Sequence, residues 1–235
     1  MWTLVTGGTR GIGRAICEFL KTEEENVIAV YHQNTQQARQ FSQETGIPTA
    51  SWDVSELEAC QKGVQNLTNQ YGAITRLVNN AGITRDALFE NMTLDQWQDV
   101  MRNNVDSLFS MTKALWPTMK KSGGSIVNVS SVNGVQGQKG QTNYCTSKAA
   151  SLGFTKALAQ EGAPYDIVVN AVAPGYTDTD MVKSVPAKIL DKIIRRIPMG
   201  RLGKSCEVAR MVGFLLTSNY ITGATFHVNG GQWMG

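Results

Sequence analysis

The sequence predicts an α/β fold: one domain on a doubly wound, mostly parallel sheet with helices on both faces. Three observations lead there. Short runs rich in β-branched residues alternate with stretches of helical period along the whole chain, the pattern of successive βαβ units. The runs are apolar at nearly every position, as strands covered on both sides must be. A glycine-rich turn joins the first run to the first helical stretch.

Taken in order, "WTLVTGG" reads as the first strand, and "TRGIGRAICEFLK" carries Ile12, Ala15, Ile16, Phe19 and Leu20 at helical spacing. "NVIAVY" is a second strand, and the spacing predicts a polar helix over 35–45. "PTASWDV" is a third strand, followed by a helix over 55–71, and "TRLVNNAG" is a fourth. One long helix is predicted over 93–121. Then come "GSIVNVSS", an Ala-rich helix holding Tyr144, "DIVVNAVAPG", a helix over 205–217 and "ATFHVNGG". No linker-like change of composition and no internal repeat divides the chain, so residues 1–235 read as a single domain. The extra material near 177–204 reads as an insertion beyond a strand end, where a lid over a ligand is expected.

Composition narrows the function. A formal charge of +3 on 235 residues, with the basic side chains dispersed, gives neither a nucleic-acid footprint nor a membrane anchor. Four separated cysteines, Cys17, Cys60, Cys145 and Cys206, without CxxC spacing or a basic leader, point to a reducing, cytoplasmic setting. With His32 and His227 the only histidines, zinc chemistry and a Ser-His-Asp triad are poor readings, and no metal site is expected.

Ligands of such folds bind at the carboxyl ends of the strands. Residues 6–13, 79–82, 130–131 and 174–179 all follow predicted strands directly, so they should share one edge of the sheet. "TGGTRGIG" opens the first helix, where backbone N–H groups and the helix dipole can hold a pyrophosphate among Gly7, Thr9, Arg10, Gly11, Ile12 and Gly13. Its G-xxx-G-x-G spacing departs from G-x-G-x-x-G, and an ordinary tight turn would also use three glycines; the position on the first strand of a βαβ series favours a dinucleotide. At the end of the second strand stand Tyr31, His32, Gln33 and Asn34 rather than a carboxylate. Nothing there repels a 2'-phosphate and Arg10 supplies a cation, so NADP is expected over NAD.

Tyr144 and Lys148 are four apart in a predicted helix and therefore share a face. Such pairs are usually surface neighbours. Combined with Ser131 at a strand tip on the same edge, they instead read as an acid: an ammonium within about 4–6 Å stabilises phenolate and lowers the phenol's pKa, and Ser131 can hydrogen-bond a carbonyl oxygen. Cys145, one step along the helix and turned about 100° away, reads as packing. Trp97, Phe109 and Trp116 read as core or subunit contacts.

With these motifs in order over essentially the whole chain, the sequence resembles the short-chain dehydrogenases/reductases, a family of Rossmann-type fold. "NNAGITRDALFENM", "SSVNGVQGQKGQTNY", "PGYTDTDMV" and "NGGQWMG" look most like its acetoacetyl-CoA reductases of polyhydroxybutyrate synthesis, with the 3-oxoacyl-acyl-carrier-protein reductases second. The resemblance implies a catalytic group of Tyr144, Lys148, Ser131 and Asn104, with Asn103 the neighbouring alternative to Asn104. It places Lys148 on the cofactor's ribose and Asn104 on a water-mediated proton path. It puts the adenine near Asp53 and Val54, the nicotinamide near Asn80, Ala81 and Gly82, and Pro174, Gly175, Thr177 and Thr179 over the site. Asp86, Gln138, Gln141 and Tyr176 would border the acyl-CoA. Asn91 and Lys139 depart from the lysine and aromatic common in those enzymes.

The activity so implied is NADPH-dependent reduction of a 3-oxoacyl thioester, acetoacetyl-CoA to 3-hydroxybutanoyl-CoA first. The rival is the same chemistry on acyl-carrier-protein thioesters, for which Lys120 and Lys121 offer basic charge while Tyr165 stands where a basic residue is common. A non-catalytic NADP-sensing protein is the reading from another class. A homotetramer, packed through the 93–121 helix and the Tyr144 helix, follows from the resemblance alone.

Overall fold

The computed structural model describes residues 1–179, 182 and 186–234. Seven parallel strands form one sheet in the order β3-β2-β1-β4-β5-β6-β7. They are β1 (Trp2–Thr6), β2 (Asn26–Tyr31), β3 (Thr49–Ser51), β4 (Ile74–Asn79), β5 (Gly124–Val129), β6 (Ile167–Pro174) and β7 (Thr225–Val228). The order reverses between β1 and β4, which opens a crevice at the carboxyl ends of those two strands.

The helices are α1 (Gly11–Thr22), α2 (Thr35–Thr45), α3 (Leu57–Tyr71), α4 (Leu94–Met101), α5 (Ser107–Ser122), the single-turn α6 (Asn133–Gln136), α7 (Thr142–Gly162), α8 (Ala187–Arg196) and α9 (Ser205–Thr217). Alternate strand residues point to opposite faces, and both faces are apolar. Val5, Ala29, Val127 and Val172 meet Ile16 and Leu20 of α1, Phe41 of α2 and Val212 of α9. Leu4, Ile28, Leu77, Ile126 and Val169 meet Val64 of α3, Met111 and Leu115 of α5 and Ala159 of α7. The continuous apolar strands of the sequence are thus accounted for by two covered faces.

Two elements differ from expectation. The helix predicted over 93–121 is broken into α4 and α5 by a π-helical turn at Arg102–Asp106. β3 keeps only three residues of "PTASWDV". The expected insertion over 177–204 contains α8 and a parallel bridge between Thr177 and Gly203; its residues 180, 181 and 183–185 lie outside the described ones.

A buried amide line crosses the second face. Asn79 Nδ2 donates to Asn128 Oδ1 at 2.9 Å, and Asn128 Nδ2 donates to Thr155 Oγ1 at 2.9 Å, joining β4, β5 and α7. Asn128 is fully buried, so its loss leaves polar partners that water cannot reach. Asn128→Ala should lower the unfolding free energy by about 1–3 kcal/mol, read from urea denaturation; a change within a few tenths would mean that the line carries no net stability.

Candidate active site

The glycine turn is built from both sides of the crevice. Thr6 ends β1, and its Oγ1 accepts from the backbone N–H of Asn80 (2.9 Å) and of Ala81 (3.0 Å), beyond the end of β4. Asn80 answers with its own amide, donating to the carbonyls of Thr6 (2.9 Å) and Gly7 (3.3 Å). Gly7 takes φ +63°, a left-handed conformation that favours glycine. At Gly13 a Cβ would stand 2.2 Å from the Gly7 carbonyl and 2.5 Å from Asn80 Nδ2, so the helix can approach the turn only without a side chain there.

The first turn of α1 carries no acidic residue, and Arg10 at its N-cap makes no side-chain hydrogen bond to it. Orphan N–H groups at the positive end of a twelve-residue helix, reached past a glycine-lined turn, fit a pyrophosphate. Gly11 lies across from Thr179: a Cβ on the former would be 3.7 Å from the latter's methyl, which brings the 174–179 segment over the turn. Pro174 is buried, Thr177 Oγ1 donates to the Gly175 carbonyl at 3.1 Å, and the Val132 N–H donates to the Pro174 carbonyl at 2.8 Å. Thr9 is buried in the turn, and Ile12 packs against the first apolar cluster.

Beyond β3, Asp53 Oδ1 accepts from the N–H and hydroxyl of Ser55. Burial works against its ionisation, but the Ser55 hydrogen bonds and the nearby positive charge outweigh it and hold the carboxyl below its ordinary value. Arg102, from the π turn, reaches Asp53, Ser55 and Glu56. Val54 points into the apolar core and offers a ligand only its backbone.

Tyr144, Lys148, Ser131 and Asn104 come together at the ends of β4 and β5. The Ser131 side chain stands beside the Tyr144 hydroxyl, close enough to favour its ionised form. Lys148 is 6% exposed, its Nζ donates to the Val129 carbonyl at 2.8 Å, and it stands 5.7 Å from the centre of the Tyr144 ring. A Cβ on Gly82 would lie 3.3 Å from Asn104 Oδ1 and 3.4 Å from Lys148 Nζ, so the three share one corner. Asn104 is buried and fixed: its Oδ1 accepts from the Ile83 N–H (2.8 Å), and its Nδ2 donates to the Ile83 carbonyl and Ser147 Oγ, both at 3.0 Å. Asn103 lies outside this corner, its Nδ2 donating to the Asp99 carbonyl at 2.9 Å. The π turn that carries Asn104 is a feature often found where a helix serves a site.

The electrostatics correct one expectation. Burial dominates and pushes the Tyr144 phenol up to about 12; the Ser131 side chain opposes this without overcoming it. Lys148, directed at the Val129 carbonyl, does not pull the phenol down. Instead burial lowers the lysine itself to about 8.

On the substrate side a hydrogen-bonded chain runs from Asp86 through Gln141 to Asn133. Gln141 Nε2 donates to Asp86 at 2.7 Å, and Asn133 Nδ2 donates to Gln141 Oε1 at 2.9 Å. The Asn133 side chain also stands beside the Tyr176 hydroxyl, close enough to favour its ionised form. Gln138 and Tyr176 both line a cleft of about 510 Å³. Sequence reasoning missed Asn133, Thr6 and Ser147. Only the first left a signal, an asparagine two residues past Ser131 and opening a glycine-bearing turn. Cys145 is half-buried, its Sγ 3.9 Å from the Gln138 carbonyl, while Phe109 is exposed rather than part of the core.

A family model described as enoyl-(acyl carrier protein) reductase matches residues 7–232. The chain is 52% identical to the acetoacetyl-CoA reductase of Rhizobium meliloti (strain 1021), over 98% of this chain and 97% of that one. It is 48% identical to the acetoacetyl-CoA reductase of Paracoccus denitrificans, again over 98% and 97%. To the 3-oxoacyl-acyl-carrier-protein reductase of Vibrio cholerae serotype O1 the identity is 42%, over 98% and 96%.

The buried lysine gives a pH signature. Below about pH 8 it is protonated in both folded and unfolded chain, and the cost of burying the ammonium is borne in full. Between about 8 and its ordinary 10.5 the unfolded chain holds a proton that the folded one has released, so stability rises with pH. Relative to Lys148→Met, the wild type should therefore gain on the order of 3 kcal/mol across that window. Urea denaturation of both proteins at several pH values measures it, and parallel curves would show an unperturbed lysine.

Proposed function

The chain belongs to the short-chain dehydrogenase/reductase family, and from that premise we propose that it is an NADPH-dependent reductase of 3-oxoacyl thioesters, converting acetoacetyl-CoA to 3-hydroxybutanoyl-CoA. The observation that carries the reading is the meeting of the Tyr144 hydroxyl with Ser131, beside buried Lys148, at the sheet edge that also presents the open N-terminus of α1. The 7–13 turn and the 174–179 segment would hold the family's nicotinamide cofactor, which would supply a hydride when bound.

The protein's part is to fix a carbonyl and move a proton. Ser131 hydrogen-bonds the carbonyl oxygen and keeps it beside Tyr144, whose O–H gives its proton to that oxygen as negative charge develops there. A phenol held near 12 is fully protonated at neutral pH, the state an acid needs at the start of a reduction. An alkoxide is a far stronger base than phenolate, so the transfer runs downhill once the charge appears. Lys148, lowered to about 8, can gain or lose a proton near neutrality and return one to the phenolate. Asn104, clamped between Ile83 and Ser147, holds the corner through which that return passes.

Preference for NADPH is supported by exposed Arg10 at the N-cap of α1 and by the absence of a carboxylate at residues 31–34. CoA over a carrier protein is supported by the names of the most similar relatives given above and by Tyr165, whose ring covers the Lys120 ammonium at 4.3 Å and so takes up part of the basic charge a carrier protein would need. Homotetramer assembly is supported by exposed Leu94 and Phe109 on α4 and α5. The four cysteines are free, as a cytoplasmic location requires, and no helix among the described residues is long and apolar enough to cross a membrane.

The test is a kinetic matrix of acetoacetyl-CoA and acetoacetyl-carrier protein against NADPH and NADH. The highest kcat/KM should fall to acetoacetyl-CoA with NADPH; a strong preference for the carrier protein would reassign the substrate. Tyr144→Phe should bind NADPH normally and lose at least about a hundredfold in kcat, and near-normal turnover would remove the phenol from the mechanism. Arg10→Ala should cut the NADPH:NADH preference by about tenfold; an unchanged ratio would leave Arg10 a solvated charge.

A further inference from the structure

The cleft beside the catalytic corner has an unused wall. It is lined by Gln138 and Tyr176 on the side of the sheet edge and by Ile189, Lys192, Ile193 and Arg196 of α8 on the other. In a helix these four positions form two neighbouring rows at i, i+4, one of isoleucines and one of cations. Ile189 is 51% exposed and no residue of α8 is buried, so this face is turned to the cleft rather than to a core. The helix carries Lys188, Lys192, Arg195 and Arg196 against the single carboxylate of Asp191. Neither Lys192 nor Arg196 has an ion-pair partner among the described residues. Arg196 is close enough for its charge to act on the Tyr176 phenol across the cleft. Gln232 lines the same space, and its buried Oε1 has no hydrogen-bond partner among the described residues.

An apolar row, an amide oxygen and a pair of cations, the last two without partners among the described residues, line one groove that Tyr176 joins to the neighbourhood of Tyr144, and they match a thioester arm: alkyl and amide groups along its length and a phosphate at its far end. We infer that Lys192 and Arg196 of α8 bind the phosphate at the end of the substrate's pantetheine arm, and so act as specificity-determining residues for a phosphorylated thioester carrier. The inference rests on the thioester reading of the site and deepens it. The phosphate belongs either to CoA or to the phosphodiester of a carrier protein; the chemistry presented to α8 is shared. Arg195 and Arg196 also sit at the negative end of the helix dipole, a contribution that would remain whatever the substrate.

The experiment compares acetoacetyl-CoA, acetoacetyl-carrier protein and the phosphate-free acetoacetyl-N-acetylcysteamine, each with NADPH, in the wild type and in Lys192→Gln/Arg196→Gln. Glutamine keeps a helix-forming stem and removes the charge. The double variant should raise KM for acetoacetyl-CoA by about tenfold or more with kcat retained. KM for the N-acetylcysteamine thioester should stay where the wild type has it. The same rise with the carrier-protein thioester assigns the cations to the phosphate next to pantetheine; a rise confined to CoA assigns them to its further phosphates. Either result supports the inference. An unchanged KM for acetoacetyl-CoA, or an equal loss on the phosphate-free thioester, overturns it and leaves the reductase reading standing. A wild type that reduces none of the three thioesters overturns that reading, and the inference with it.

Discussion

A lysine buried with no carboxylate beside it among the described residues is the constraint around which this site is organised. Removing an ammonium from water is costly, and Lys148 recovers part of that cost from the Val129 carbonyl at the end of β5. The same seam is fastened again in the opposite sense, where Ser130 Oγ donates to the Lys148 carbonyl at 2.8 Å. Strand β5 and helix α7 are therefore locked in register at the point where Ser131 leaves the strand and Tyr144 enters the helix. A slip of one residue would break both bonds and rotate Tyr144 by about 100°, away from Ser131. The depressed basicity of the lysine and the aim of the tyrosine are two consequences of one packing decision.

The corner is stiffened from below by polar groups placed where an apolar sheet would not be expected to hold them. Asn79, Asn128 and Thr155 tie β4, β5 and α7 across the core, while Asn170 on β6 donates to the Ile221 carbonyl at 2.7 Å and accepts from the Ala224 N–H at 3.2 Å. Asn128 and Asn170 are each satisfied at both ends, which makes their burial tolerable. Their geometry is directional in a way that aliphatic packing is not. Strand ends that must present Thr6, Asn80 and Ser131 along one edge gain from a lattice that fixes register, not only separation.

Much of this was legible in the sequence because it rests on local rules. Helices α2 and α9 lie where their spacing placed them, and the turn at residues 6–13, the 79–82 loop, Ser131 and the 174–179 segment do share one edge. Sequence order and strand alternation suffice for that. What was hidden depends on the third dimension. Nothing in "VMRNNVDSLF" announces that the helix widens into a π turn at Arg102–Asp106, because i→i+4 and i→i+5 bonding differ little in local propensity and the choice is made by Asn104 reaching Ile83 and Ser147. Asn80, which the resemblance puts near the nicotinamide, has its side chain on the carbonyls of Thr6 and Gly7 and so also shapes the turn, a role that only the tertiary structure shows. The amide inside "SIVNVSS" was visible as a polar residue in an apolar run, but only the tertiary structure names Asn79 and Thr155 as its partners.

The elevated phenol changes how the tyrosine and lysine divide their labour. A tyrosine whose pKa a neighbouring cation had lowered would be partly ionised near neutrality, and a site so poised would serve as readily to remove a proton from an alcohol as to deliver one to a ketone. Burial instead keeps Tyr144 in its acid form and puts the group that titrates near neutrality one step back, on Lys148. In the proposed mechanism the proton then stays on oxygen until charge develops on the substrate, and the reservoir behind it is refilled at ambient pH. Such a division suits a reductase supplied with reduced cofactor. It also explains why Asn104 must be immobile: a path between two groups of such different basicity works only if the geometry joining them is already in place when the phenol lets go.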